Sequence, residues 1–524
     1  MSYGDATYLR SEPGNYTTTV LERLRAKGNG DVIVAGRRRI RGGAAADTVM
    51  EFAANLRAAG LEPGERVGLF ALNSPEAVLL ELAVHFVGCT LVFVPLTLGN
   101  GELEALLRRA DVTALLFDPA LRERVLQIAE LARVPRVLSI GACPGATDFL
   151  TMVPGGERLA QHDAAGAGHV ATFFYTGGTT AEPKLVVHRH AYYEELALDA
   201  EGYRPTGSDP ALLVGTPVTH ASGHRVFLTG MLTDQTVVLM RSFDAGAALS
   251  LMESERITGV MLVTPWLYEL LDHPDCLPHR FPALWRIYYG GAAASAERLR
   301  QAIELFGPVM QQIYAASETG IIAELAPHEH DLSRPETLSG CGRPYRGVEV
   351  EVRDEDGKPV PSGELGELYL RARNVMEGYW KDPEHTAEVL DEQGWFRSGD
   401  IARQDGDGYL YLVDRARDVI VSGRTAGNVY SRLLDDLLAG YPGIREGAAV
   451  GLGDRERNEA VHVVLVLQDP DITPDVAALT DRITETLGEL YAPASYSFAD
   501  FLPRTGVGKT DKKALRAALK PVRP

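Results

Sequence analysis

Between Gly64 and Ile140 short apolar runs alternate with longer segments whose apolar positions recur at helical spacing. Arg66–Leu72, Leu91–Val94, Ala114–Phe117 and Arg136–Ile140 predict short buried strands. Ala77–Val87, Glu102–Ala110 and Leu121–Ala132 predict the helices between them. Ser74-Pro75-Glu76 supplies a helix start, with serine as N-cap and proline in the first turn. Such alternation implies parallel β-α units, with helices covering the sheet. The pattern resumes with Val170–Phe174, Ala211–Val214, Thr236–Met240, Gly259–Val263 and Arg286–Tyr289.

The texture changes after about Ser339. Val348–Arg353, Gly366–Arg371 and Gly408–Val413 alternate apolar and polar residues, as half-exposed antiparallel strands do. Asp354-Glu-Asp-Gly357 reads as a turn. From Arg415 to Pro524 a compact α+β module is expected, with strands at Glu446–Gly451 and Val461–Leu467, a helix at Asp475–Leu490 and a closing basic stretch. The expected fold class is α/β: a large N-terminal domain (1–414) of parallel β-α layers with a β-rich subdomain at about 339–414. A small α+β C-terminal domain (415–524) follows.

Composition narrows the function classes. The 524 residues exceed one core, and 45% hydrophobic with 23% charged is ordinary for a soluble protein. A net charge of −19 argues against nucleic acid or an anionic membrane as partner. Cys89, Cys143, Cys276 and Cys341 are widely spaced, so neither a zinc site nor a disulfide framework is suggested. Reduced thiols in a cytoplasm are the simplest expectation. The N-terminus lacks the layout of a secretion signal, and no apolar run approaches the ~18 residues of a membrane span.

The candidate chemistry starts at Tyr175-Thr-Gly-Gly-Thr-Thr-Ala-Glu-Pro-Lys184. Glycines let backbone N–H groups approach an anion, hydroxyls add donors and lysine adds charge. Alone, the stretch is either a polyphosphate cradle or a polar turn. It is not a Walker loop. The nearest match, Gly508-Lys509-Thr510, has Pro503 in place of the first glycine, and alone Lys509 reads as a surface lysine. Gln312–Gly320 sets an aromatic, a hydroxyl and a carboxylate at a strand-to-loop junction. Trp395-Phe-Arg-Ser-Gly-Asp400 offers a carboxylate beside a glycine, Asp414–Asp418 follows a strand, and Leu502–Lys509 is a rigid-then-flexible loop.

In this order, over about Leu21 to Arg516, these motifs resemble the adenylate-forming superfamily: acyl-CoA synthetases, aryl-CoA ligases, luciferases and peptide-synthetase adenylation domains. The resemblance implies two steps. A carboxylate attacks the α-phosphate of ATP and displaces pyrophosphate; the small domain then turns about a hinge near Arg417, and a thiol attacks the acyl adenylate. It implies that Thr176, Gly177, Gly178, Thr179, Thr180 and Lys184 cradle the β- and γ-phosphates, and that Glu318 holds Mg²⁺. Tyr314 would stack on adenine, Ser317 would contact the α-phosphate, and Gly291 and Ala292 would line the adenine and acid site. Asp400 would accept the ribose hydroxyls, and Arg415 would bind ribose and phosphate oxygens. Lys509 would bridge the attacking oxygen and the α-phosphate. His220, Ser222 and Gly290 would line the acid pocket, although a core histidine is the competing reading of His220.

The chain departs from the family's pattern in places. Gly178, Ala181 and Leu185 replace a hydroxyl residue and two glycines, and Ala315 replaces another glycine. After the hinge, Ser422-Gly423-Arg424 opens a second-step loop that runs to Asp436. That loop has one extra residue, no proline after Tyr430, and Leu433 where glutamate is usual. Tyr491 lacks its usual following lysine. Adenylation is therefore expected to survive, with a remodelled second step. The leading expectation is a ligase joining a small, potentially aromatic, acid to CoA or a carrier phosphopantetheine. The alternative is a diazotase-like enzyme that activates nitrite for an aryl amine, and the minor alternative is an inactive binding relative.

Overall fold

The computed structural model describes residues 15–152, 166, 168–176, 184–200, 205, 209–278, 280–416, 418–422, 427–454, 458–470, 472, 474–504 and 510–519. The chain divides into two compact units. One joins 1–290, 300–322 and 372–390; the other joins 291–299, 323–371 and 391–524.

In the first unit the predicted start at Ser74 forms as expected. Its side chain accepts from the Ala77 amide and Pro75 occupies the first turn of helix Pro75–Phe86. Every residue of that helix except Glu76 is buried, so it runs through the interior. The first sheet has the order Gly378–Tyr379, Lys184–Arg189, Val170–Thr176, Thr90–Phe93, Arg66–Phe70, Ala114–Phe117, Arg136–Ser139, Thr147–Asp148. From Val170–Thr176 onward its pairings are parallel, as the β-α alternation predicts. Helices Asn100–Arg109 and Arg122–Ala132 cover one face, where Leu103, Leu106, Val125 and Ile128 pack on Phe70, Val92, Leu115 and Phe117. A second sheet carries Met310–Ala316, Arg286–Gly290, Gly259–Val263, Ala211–Val214, Thr236–Leu239 and Asp31–Ala35 in parallel order.

Thr176 and Lys184 are not loop residues: they end and begin two antiparallel strands, directly opposite one another. The buried run Leu185–His188 forces this, because it pairs back on Val170–Tyr175 rather than entering a helix.

In the second unit Glu349–Arg353, Gly366–Arg371, Phe396–Gln404 and Leu410–Arg415 form an antiparallel sheet. Asp414 and Arg415 therefore lie within a strand, not after one, because pairing continues until Arg415 faces Asp400. Further along, Asn458–Leu467 lies between Ile444–Asp454 and the parallel strands Ile420–Ser422 and Ser495–Phe498. Val463 and Leu465 face helices Ser431–Ala439 and Val476–Leu487. Val464 and Val466 face Leu515 of helix Lys512–Leu519, so strand alternation sorts two apolar layers. The stretch expected as a loop from Ser422 to Asp436 instead contains strand Gly427–Val429 and the start of helix Ser431–Ala439. That helix forms because Leu434 and Leu438, one turn apart, both bury.

Candidate functional site

The first unit gathers a cation, a phenol and a carboxylate. Lys184 opens strand Lys184–Arg189, and Gly378–Tyr379 pairs beside it, with Tyr379 opposite Val186. This brings Lys184 Nζ to 4.9 Å from the centroid of the Tyr379 ring. Tyr379 Oη donates to Glu318 Oε1 at 3.2 Å. Burial, then the Glu318 charge, push the phenol well above its usual pKa, so it stays a donor. Glu318 sits in the turn between strands Met310–Ala316 and Gly320–Leu325, and its carbonyl accepts from the Met376 amide at 2.6 Å. On the same turn the Ser317 carbonyl is 2.7 Å from His188 Nε2. Burial lowers the His188 pKa to about 4, so the neutral ring donates this bond through Nε2–H.

Tyr379 and His188 were not among the sequence candidates. Neither stands in a chemistry-bearing cluster, and only sheet pairing brings them to Glu318 and Ser317. Tyr314 lies half-buried in strand Met310–Ala316. Gly290 ends its strand where a Cβ would stand 2.3 Å from the Ile313 carbonyl oxygen, so strand packing alone accounts for that glycine. His220 and Ser222 come together at the head of helix Ala221–Leu232. His220 Nδ1 caps it, accepting from the Ser222 amide at 3.2 Å and lying 2.9 Å from Ser222 Oγ.

The second unit holds the other half of the candidate set. Asp400 is buried, and Arg415 Nε lies 2.7 Å from its Oδ1 across the ladder. Gly291 and Ala292 are exposed. Next to Arg415 a buried polar chain begins that sequence reasoning missed. Asp414 Oδ1 accepts from the Arg415 amide at 2.7 Å, and Asp414 Oδ2 accepts from Ser431 Oγ at 3.0 Å. Ser431 Oγ in turn accepts from Lys512 Nζ at 2.7 Å, and Lys512 pairs with Asp435 at 2.5 Å. Burial pushes the Asp435 carboxyl up to about 6, with Lys512 pulling the other way. Ser422 pairs with Gly427 through its backbone. Gly177, Gly178, Thr179, Thr180, Arg417, Gly423, Arg424 and Lys509 lie outside the described residues.

Lysine beside a phenol-held carboxylate suits a polyphosphate with a divalent cation, and a buried carboxylate fixed by a guanidinium suits a diol. Among the described residues no group of three or more His, Cys, Asp or Glu is placed to hold a metal, so a cation would need oxygens from a ligand. Among the same residues no helix is long and apolar enough to cross a membrane.

The fold is that of adenylate-forming enzymes, and the chain belongs to the AMP-binding enzyme family. The family profile matches residues 22–380, and the profile of the AMP-binding enzyme C-terminal domain matches 434–509. The chain is 33% identical to the medium/long-chain-fatty-acid–CoA ligase FadD8 of Mycobacterium tuberculosis, over 94% of this chain and 88% of that one. It is 33% identical to a feruloyl-CoA synthase of an Amycolatopsis species, over 89% and 91%. The structure of the amide bond synthetase McbA from Marinactinospora thermotolerans superposes with a TM-score of 0.84 at 33% identity, covering 96% of this chain and all of that one (100%).

Proposed function

We propose that this chain adenylates a small carboxylic acid with ATP and transfers the acyl group to a thiol, CoA or a carrier phosphopantetheine. The Lys184–Tyr379–Glu318 cluster carries the first half of this reading. In the first step a carboxylate oxygen bonds to the α-phosphorus, and the bond from that phosphorus to the bridging oxygen breaks with release of pyrophosphate. Lys184 and the Thr176–Thr180 segment hold the departing phosphates. Glu318 fits Mg²⁺: it is a hard carboxylate whose hydrogen bond from a neutral phenol leaves its charge in place. Mg²⁺ there would supply charge neutralisation on the phosphate oxygens. Ser317 and Lys509 serve the α-phosphate, Tyr314 the adenine, and Asp400, oriented by Arg415, the ribose hydroxyls. In the second step sulfur bonds to the acyl carbon, the bond to AMP breaks, and the thiol proton is lost. Arg417 is the proposed hinge between the steps.

The CoA ligases among the relatives favour a thiol. An amine acceptor is the second reading. The likeness to McbA favours it, as does the 422–436 stretch, where Ser431 fills the place of the usual proline and is tied to Asp414.

Pyrophosphate release with ATP, Mg²⁺ and a panel of acids tests the proposal, with CoA, alkyl amines or aryl amines as acceptors and a parallel arm with nitrite. Acid-dependent release with thioester formation is expected. Amide formation without thioester would transfer the proposal to the amine reading. Release only with nitrite and an aryl amine would overturn both in favour of diazonium formation, and no release in any arm would overturn adenylation itself.

A further inference from the structure

Helix Lys512–Leu519 reaches back to the end of strand Leu410–Arg415 with two cations. Lys512 and Arg516 are four residues apart, so they share one face of the helix. Lys512 Nζ donates to Ser431 Oγ at 2.7 Å and pairs with Asp435, whose other oxygen accepts from the Ala449 amide at 2.7 Å. The Ser431 hydroxyl has one proton. With its oxygen accepting from Lys512, that proton goes to Asp414 Oδ2 at 3.0 Å. One turn along the helix, Arg516 Nη1 donates to Asp418 Oδ1 at 3.1 Å. Asp414 and Asp418 bracket Arg415 and the proposed hinge at Arg417. Asp414 Oδ1 accepts from the Arg415 amide, and the Asp418 amide donates to the Arg415 carbonyl at 2.8 Å. The N–H and the C=O of Arg415 are thus each held by a neighbour that the helix grips.

Ser431 and Asp414 are buried, and the side chains of Lys512 and Arg516 are only 10% and 23% exposed. Contacts at that depth are screened far less than surface ion pairs, and loss of one partner strands the others. The Arg415 side chain is 44% exposed. So many rotamers are open to it that its contact with buried Asp400 depends on a fixed backbone. We propose that Lys512 and Arg516 are positioning residues for the nucleotide site: they clamp the 414–418 segment at both ends and so hold Arg415 against Asp400, the pair assigned to the ribose of ATP. This deepens the adenylation reading and rests on its nucleotide site. A proline at 431, the usual residue of the family there, has no hydroxyl to pass the contact from Lys512 to Asp414.

The test measures the Kd for ATP with Mg²⁺ by calorimetry on the full chain, alongside pyrophosphate release and the melting temperature. Lys512→Met should raise the Kd about 10-fold, as loss of a charge-assisted contact does, and Ser431→Ala about threefold. Lys512→Arg should restore part of the affinity, because the charge returns on a different head group. In an Arg415→Ala background the same substitutions should add little, because the contact they aim is already gone. Leu515→Ala loosens the same helix from Val464 and Val466, so it should lower the melting temperature and leave the Kd near that of the unmodified chain. If Lys512→Met does not fold, Ser431→Ala and Arg516→Leu carry the same cycle. A Kd unchanged in the clamp variants, effects that add fully to Arg415→Ala, or an equal rise in Leu515→Ala would overturn the positioning role. ATP binding without pyrophosphate release for any acid would remove adenylation, while the Kd cycle still decides the clamp. No binding of ATP by the unmodified chain would remove the nucleotide site and the clamp's role with it.

Discussion

Glu318 takes its hydrogen bond from a phenol, whereas Asp400 takes its own from a guanidinium. The neutral Tyr379 phenol gives Glu318 a hydrogen bond and no cationic charge. Arg415 compensates Asp400, which can then stay buried and act as a fixed acceptor. Two carboxylates of the same candidate set thus differ in the charge of a side chain bonded to each.

The strongest way to break this comparison leaves both carboxylates in place. Lys509→Ala removes the cation proposed to act on the attacking oxygen. It should slow adenylate formation by about 10²–10³ and spare acyl transfer from a preformed adenylate. Equal loss in both half-reactions, followed by single-turnover kinetics, would show that the steps do not divide in this way. Next comes Asp400→Asn, which keeps the shape and removes the charge. A rise in the KM for ATP of about 10-fold, with kcat little changed, is expected for a ground-state contact to the ribose. A fall in kcat at unchanged KM would place Asp400 elsewhere in the cycle. Tyr379→Phe keeps the ring over Lys184 and deletes only the bond to Glu318. About 1 kcal/mol, or roughly fivefold, is expected, read as a higher Mg²⁺ half-saturation.

The smallest effect separates site chemistry from packing. Burial lowers His188 and His190 from 6.5 to about 4. The unfolded chain therefore binds protons between about pH 4 and 6.5 that the folded chain does not, so stability falls as pH drops through that window. The melting temperature should fall likewise. His190 ring nitrogens have no hydrogen-bond partner among the described residues. His190→Leu should flatten that slope and cost under about 1 kcal/mol at neutral pH. A slope unchanged in this variant would assign the acid sensitivity to other groups.

Most of the first unit's strands and helices were legible because each is a local pattern. Ala114–Phe117, Ala211–Val214 and Gly259–Val263 form with the predicted ends, since a short buried run between turn residues has one reading. The errors fall where pairing overrides composition. Lys184 looked like a loop residue beside Pro183, yet the Val186–Val187 run behind it needed a partner strand. Asp414 and Arg415 looked like a charged turn, yet the ladder carried on to Asp400. The helix at Ser431–Ala439 hid inside a stretch judged by its departures from a motif rather than by its leucine spacing.

By itself the sequence determined the class of fold, the identity of the candidate residues and the resemblance to adenylate-forming enzymes. These rest on periodicity and on residue types at short spacing, which every chain segment carries with it. Only the tertiary structure decided that Tyr379 meets Glu318, 61 residues away, that Arg415 locks Asp400, and that Lys512 reaches Asp414 through Ser431. Each depends on which segments lie side by side, and hydrogen-bonded pairing between distant segments leaves no period in the sequence to read.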